Sequence, residues 1–202
     1  MIGIIAATLF FGSIAFIAVQ TSRAACTAVL PSPDGPAPGA PPDAVLIAAS
    51  ALLGGLVVWL GATPTQIGTI ALVVFALVAC WCSDMLCGIL PDVFTLAPLG
   101  LLLLFALTQR NWGLILSAFV VFVPFAVAAA FSRGYGMGWG DAKLVAISGA
   151  ALGAPLAIFA LFFGCAAAVV GHRIAGWPRR PIALAPYIAA ATAVAIPLAL
   201  LH

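Results

Sequence analysis

Eight apolar stretches partition this chain, at approximately 2–20, 44–62, 66–83, 94–108, 112–131, 141–153, 155–171 and 184–201. Most approach the roughly 20 residues that a helix needs to cross a bilayer. That repetition removes most folds from consideration. Lipid offers backbone groups no hydrogen-bonding partner, so only helices and closed barrels span it. The alternating polar and apolar strands of a barrel are missing. The expected fold is therefore an all-α integral membrane protein with about eight transmembrane helices. Composition agrees: 65% of residues are hydrophobic and 6% charged, against roughly 45–50% and 25% in soluble domains. The segment 141–153 is too short to cross alone and is expected to be extended by 136–140, tilted, or shielded by its neighbours.

Few charges remain, so each is informative. There is no Glu, and the acids are Asp34, Asp43, Asp84, Asp92 and Asp141. An ionised group at bilayer depth costs roughly 2.5–3.5 kcal/mol even on lenient scales. If the N-terminus lies outside and eight crossings follow, the inner loops hold Arg23, Arg133, Lys143, Arg173, Arg179 and Arg180. Only Arg110 falls outside, as the positive-inside rule requires. The same threading puts Asp84, Asp92 and Asp141 at the cytoplasmic face. The net charge of +2 is too small to suggest nucleic-acid binding. Between the first two helices, "LPSPDGPAPGAPPD" (30–43) reads as an extended, Pro-rich linker. The first apolar run lacks the basic flank of a signal peptide, since no Lys or Arg precedes Arg23. Cys26, Cys80, Cys82, Cys87 and Cys165 form no CxxC pair and read as small apolar residues rather than metal ligands. His172 and His202 lie at a helix end and at the C-terminus, and no catalytic role is expected of them.

Two acidic motifs stand out. Asp84 ends the third apolar run in "CWCSDMLCGILPDVFT", and Asp92 follows eight residues later, after Pro91, which stops any helix running into it. Asp141 begins the sixth run after "GYGMGWG", whose Gly134, Gly136, Gly138 and Gly140 permit unusual backbone conformations and close approach. Structural readings exist for each. Asp141 and Asp92 fit helix caps, and Lys143 fits an interfacial anchor with its head in water. For Asp84 the structural reading is weak, because an apolar helix end gains little from a lone carboxylate. Two converging carboxylates cannot both ionise easily and share a proton near neutral pH. One can take a proton from water while the other polarises a carbonyl. That is amide hydrolysis of the aspartic type, and it needs no metal or other cofactor.

These residues carry a resemblance. "GMGWGDAKLVAISGA" is similar to the GxGDxK motif of the type IV prepilin peptidases, the GxGD membrane aspartic proteases. "DMLCGILPDVFT" resembles the family's other signature, an Asp followed eight residues later by Pro-Asp and a hydroxyl residue. "ALAPYIAAA" (183–191) looks like its C-terminal Gly-Pro-Tyr segment, with Ala185 in place of Gly. The resemblance implies that the last six helices form a GxGD peptidase core over 66–202, preceded by a first helix with its linker (1–43) and a second helix (44–65). It makes Asp84 and Asp141 the catalytic pair. Gly138, Gly140, Lys143, Pro91 and Asp92 become site-shaping or substrate-binding residues. It implies a prepilin or pseudopilin precursor as partner, cut after a Gly at the end of a short cytoplasmic leader, in the inner membrane and beside pilus or secretion machinery.

The chain departs from the family's bifunctional members. Their loop after the first helix carries two CxxC pairs, whereas 21–43 holds only Cys26. Methyl transfer to the new N-terminus is therefore not expected, and the compact form serving Flp-type pili is the leading reading. No basic residue lies in "MLCGIL". The alternatives are an archaellin- or secretion-pseudopilin-type GxGD peptidase, and a non-enzymatic transporter or assembly protein using the two Asp as a proton or ion site.

Overall fold

A computed structural model describes residues 1–28, 43–132, 137–174 and 182–201. Residues 30–42 of the Pro-rich stretch, Arg133, Gly134, Gly136, Arg179, Arg180 and His202 lie outside the described residues. The described chain forms eight α-helices: α1 (Ile2–Ala28), α2 (Asp43–Trp59), α3 (Pro64–Cys87), α4 (Asp92–Thr108), α5 (Trp112–Phe131), α6 (Trp139–Leu152), α7 (Ala154–Ile174) and α8 (Ala185–Ala199). Four are long and apolar enough to cross a membrane: Ile2–Thr27, Pro64–Cys87, Trp112–Phe131 and Ala154–Ile174. Shorter apolar helices are Asp43–Trp59, Asp92–Thr108 and Ala185–Ala199. The all-α membrane fold read from the apolar runs is the one observed.

Helix limits follow from local chemistry. Thr63 and Gln66 close a reciprocal capping box at the start of α3, with Pro64 at its first turn, satisfying donors that would otherwise be orphaned. The same helix stops at Gly88, whose φ of 66° is left-handed and whose N–H donates to the Asp84 carbonyl. Pro91 then caps the start of α4. Pro98 and Pro124 lie inside α4 and α5, where lipid-facing helices tolerate them because neighbours re-satisfy the freed carbonyls.

The short helix sits at the centre. α6 packs on α3, α4, α5, α7 and α8, and every residue from Leu144 to Ala150 is buried. Shielding by neighbours, one of the expected solutions, explains how so short a helix is tolerated. Close packing with α5 depends on Gly149, where a Cβ would lie 2.8 Å from the Ser117 carbonyl oxygen. Small residues allow such approach where no hydrophobic force drives helices together. Buried hydroxyls add directional contacts. Ser148 and Thr192 share a 2.8 Å hydrogen bond between α6 and α8, and Ser22 donates to the Ala79 carbonyl at 3.0 Å between α1 and α3.

α1 runs well past the expected end near residue 20. The polar stretch Thr21–Arg23 stays helical with Thr21 bonded to the Ile17 and Ala18 carbonyls of its own turn and the next two residues partnered across the bundle. Ser22 is buried against α3, and Arg23 forms an ion pair with Asp43 at the start of α2.

Candidate active site

Asp84 occupies the last turn of α3 and is half-buried. A helix C-terminus carries partial negative charge, which disfavours a carboxylate there. The compensating group comes from the far end of the chain. The Ala185 backbone N–H, in the first turn of α8, donates to Asp84 Oδ2 at 3.2 Å. Helix N-termini present unpaired N–H groups and partial positive charge, and so suit anions. α8 starts here because Pro186, at its second position, needs no intrahelical partner for its nitrogen. The resemblance marks Ala185 only as a departure from the family's Gly. Its role as the donor to Asp84 was missed, although "AP" is a recognisable helix start.

Asp141 occupies the third position of α6, behind Gly138 at the cap. Its Oδ2 reaches back to accept the Gly138 N–H at 3.2 Å, half of a capping box. The cap reading of Asp141 is thus correct for one oxygen. The other, Oδ1, is buried and has no hydrogen-bonding partner. Such orphans are rare in proteins; the indole N–H of Trp81 is the other one among the described residues. Asp141 lies within electrostatic range of Asp84, and both lie within range of the Cys80 thiol one turn earlier on α3.

The glycines have separate tasks. Gly138 supplies the N–H to Asp141 with ordinary dihedral angles. Gly140 is required by packing: a Cβ there would lie 2.7 Å from Leu90 Cβ. The close approach expected of this segment is made, at Gly140, by the chain's own 88–91 turn. Gly134 and Gly136 lie outside the described residues.

Asp92 and Lys143 are joined. Lys143 Nζ donates to Asp92 Oδ1, tying the start of α6 to the start of α4. Pro91 takes the cap position of α4, which has no side-chain capping bond, and Asp92 is the first helical residue. Asp92 therefore serves as the partner of Lys143 and not as the expected cap. Lys143, with 20% of its side chain exposed, is held in an ion pair instead of extending freely to the interface. The pair links the two acidic motifs. No cluster of three or more His, Cys or Asp occurs among the described residues that could hold a metal ion.

No curated protein and no solved structure matches the chain. The model of the type IV leader peptidase family matches residues 70–171, from the second turn of α3 to the last turn of α7. The matched span contains Asp84, Asp92, Asp141 and Lys143, and it covers half of the chain. This membrane protein belongs to the type IV leader peptidase family.

Proposed function

We propose that the chain is an aspartic endopeptidase that removes the short cytoplasmic leader from type IV or Flp-type prepilins or pseudopilins, cutting after a Gly. One observation carries the reading most directly. Two carboxylates from distant motifs lie within electrostatic range of each other. Each has one oxygen held by a backbone N–H at a helix N-terminus, and Asp141 keeps its second oxygen free. Oriented this way, the pair shares one proton. The ionised carboxylate removes a proton from water as the water oxygen attacks the scissile carbonyl carbon. The protonated partner donates to the carbonyl oxygen. Collapse of the tetrahedral intermediate breaks the C–N bond, and the amine leaves with a proton returned by the pair.

The surroundings fit a membrane-anchored substrate. A groove of about 560 Å³ between α2, α3 and α8 is lined by Leu46, Leu53, Leu77, Trp81, Ala189 and Ala193, among others. Trp81 precedes Asp84 by three residues and Ala189 follows Ala185 by four, about one helical turn each. An apolar precursor helix seated there would deliver the residues above it to the carboxylates. The positive-inside threading supports a cytoplasmic position for the two carboxylates. Membership of a peptidase family favours hydrolysis over the ion-site reading.

Co-expression with a candidate prepilin tests the proposal. Asp84→Ala and Asp141→Ala should each abolish shortening of the precursor while the variants still accumulate in the membrane. Continued processing by both variants sinks the pair.

A further inference from the structure

The ends of α1 and α3 meet through sulfur. Cys26 Sγ and Cys87 Sγ lie 2.8 Å apart although 61 residues separate them in sequence. The register that brings them together is set deeper in the bundle, where Ser22 bonds to the Ala79 carbonyl. Cys87 is buried and its thiol also faces the Ser83 carbonyl at 3.1 Å. Cys26 is only partly buried. All five thiols are free, and nothing in the hydrolysis above uses this pair.

We propose that Cys26 and Cys87 form a redox-modification site, a dithiol that a peroxide-class oxidant converts to a disulfide stapling α1 to the end of α3. The more exposed Cys26 reacts first: its sulfur attacks one peroxide oxygen, the O–O bond breaks, and a sulfenic acid and one water result. The Cys87 sulfur then attacks the sulfenic sulfur, the S–O bond breaks, and a second water leaves as the S–S bond forms. Two electrons pass from the two sulfurs to the peroxide, and a small thiol reverses the step by exchange. From 2.8 Å, closure to a bond of about 2.05 Å needs less than about 1 Å of movement. On the cytoplasmic side, where thiols are kept reduced, the dithiol is the resting form.

The consequence follows from position and rests on the proposed peptidase reading. Cys87 is the last residue of α3, three after Asp84. The chain turns at Gly88 into the segment whose Leu90 packs on Gly140, next to Asp141. A bond to α1 would pin that turn, which packs on Gly140 beside Asp141, and so restrain the start of α6.

Counting thiols tests the pair without relying on activity. The purified protein is treated with hydrogen peroxide, denatured and labelled with a maleimide mass tag. Wild type should fall from five tags, one per cysteine, to three, and return to five after reduction with dithiothreitol. Cys26→Ser should carry four tags before and after peroxide, whereas Cys87→Ser should fall from four to three, because Cys26 stops at the sulfenic acid without its resolving thiol, and return to four after dithiothreitol. Peptide mapping should find Cys26 linked to Cys87. Five tags on peroxide-treated wild type, or loss of two tags by Cys26→Ser, overturns the site. In the second arm, oxidised wild type should cleave a prepilin at least fivefold more slowly than reduced, with Cys26→Ser insensitive to peroxide. Equal rates overturn the clamp. If reduced wild type cleaves no precursor, the proposed function has failed instead, and the tag count still decides the dithiol.

Discussion

Replacing Gly140 by Ala adds one methyl group at the most crowded point beside Asp141. The new Cβ would sit 2.7 Å from Leu90 Cβ, about 0.7 Å inside the 3.4 Å at which such contacts become ordinary. Because the neighbour is a Cβ and not the tip of a side chain, rotation of Leu90 cannot relieve it. Either the 88–91 turn or the start of α6 must move. Overpacking of this kind costs roughly 1–3 kcal/mol, while exchanging Gly for Ala in a helix returns at most about 1 kcal/mol. The net loss of stability is therefore small, about 0–2 kcal/mol. Catalysis should suffer more. A misplacement of about 1 Å can lower a rate about 100-fold, so a shift somewhat smaller predicts a loss of roughly 10- to 100-fold. The assay is precursor cleavage by purified protein, with thermal unfolding measured on the same sample. Two companions identify the clash. Leu90→Ala keeps the offending Cβ and should not rescue Gly140→Ala, whereas Leu90→Gly removes it and should restore a substantial part of the rate. Full activity and an unchanged unfolding temperature in Gly140→Ala would refute the packing argument. So would rescue by Leu90→Ala.

Two further substitutions probe the supports of the site. Thr192→Val removes the bond between α8 and α6 but leaves Ser148 its acceptor, the Leu144 carbonyl at 3.2 Å. Interhelical hydrogen bonds in membranes average about 0.6 kcal/mol and reach about 1.7, so unfolding in detergent should shift down by only a few degrees, and no shift would show the bond to be idle. Lys143→Met and Asp92→Asn each break an ion pair whose acid has 64% of its side chain exposed, worth about 0.2–1 kcal/mol. Each should slow cleavage by less than about tenfold, with the double variant no worse than either single one. A loss above about 100-fold in Lys143→Met alone would show that Lys143 acts on the substrate.

The fold was legible because lipid leaves a chain little choice. The run 112–131 coincides with α5, and most other helices begin or end within two or three residues of an apolar boundary. The expectation failed at the end of α1, since hydropathy reports where lipid ends and not where a helix does. Thr21, Ser22 and Arg23 read as a terminus, yet the helix continues: Thr21 donates back to its own turn, and α3 and α2 supply partners for Ser22 and Arg23. At the site, Asp84 and Asp141 were conspicuous as rare acids at the edges of apolar runs. Their partners were not. Leu90 is one Leu among many, and only the close approach of two backbones gives Gly140 its reason. Asp92 and Lys143 were each visible, but 51 residues separate them, and neither motif names the other.

Ala185 stands where the resembled segment has Gly, and the exchange leaves the contact with Asp84 in place. The group that meets Asp84 is a backbone N–H, which Ala supplies as well as Gly does. What the exchange adds is one methyl group, and Ala185 is fully buried, so the bundle already encloses it. The placement of that N–H is then decided by how α8 is seated. Seven residues along α8, Thr192 bonds to Ser148, which lies seven residues along α6 from Asp141. Two turns of two neighbouring helices thus run between one buried polar contact and the two carboxylates. A slide of α8 along α6 would break the Ser148–Thr192 bond and withdraw the Ala185 N–H from Asp84 together. The site is held in register from inside the bundle, and the residue type at the donor position can vary as long as it keeps its N–H and fits the space.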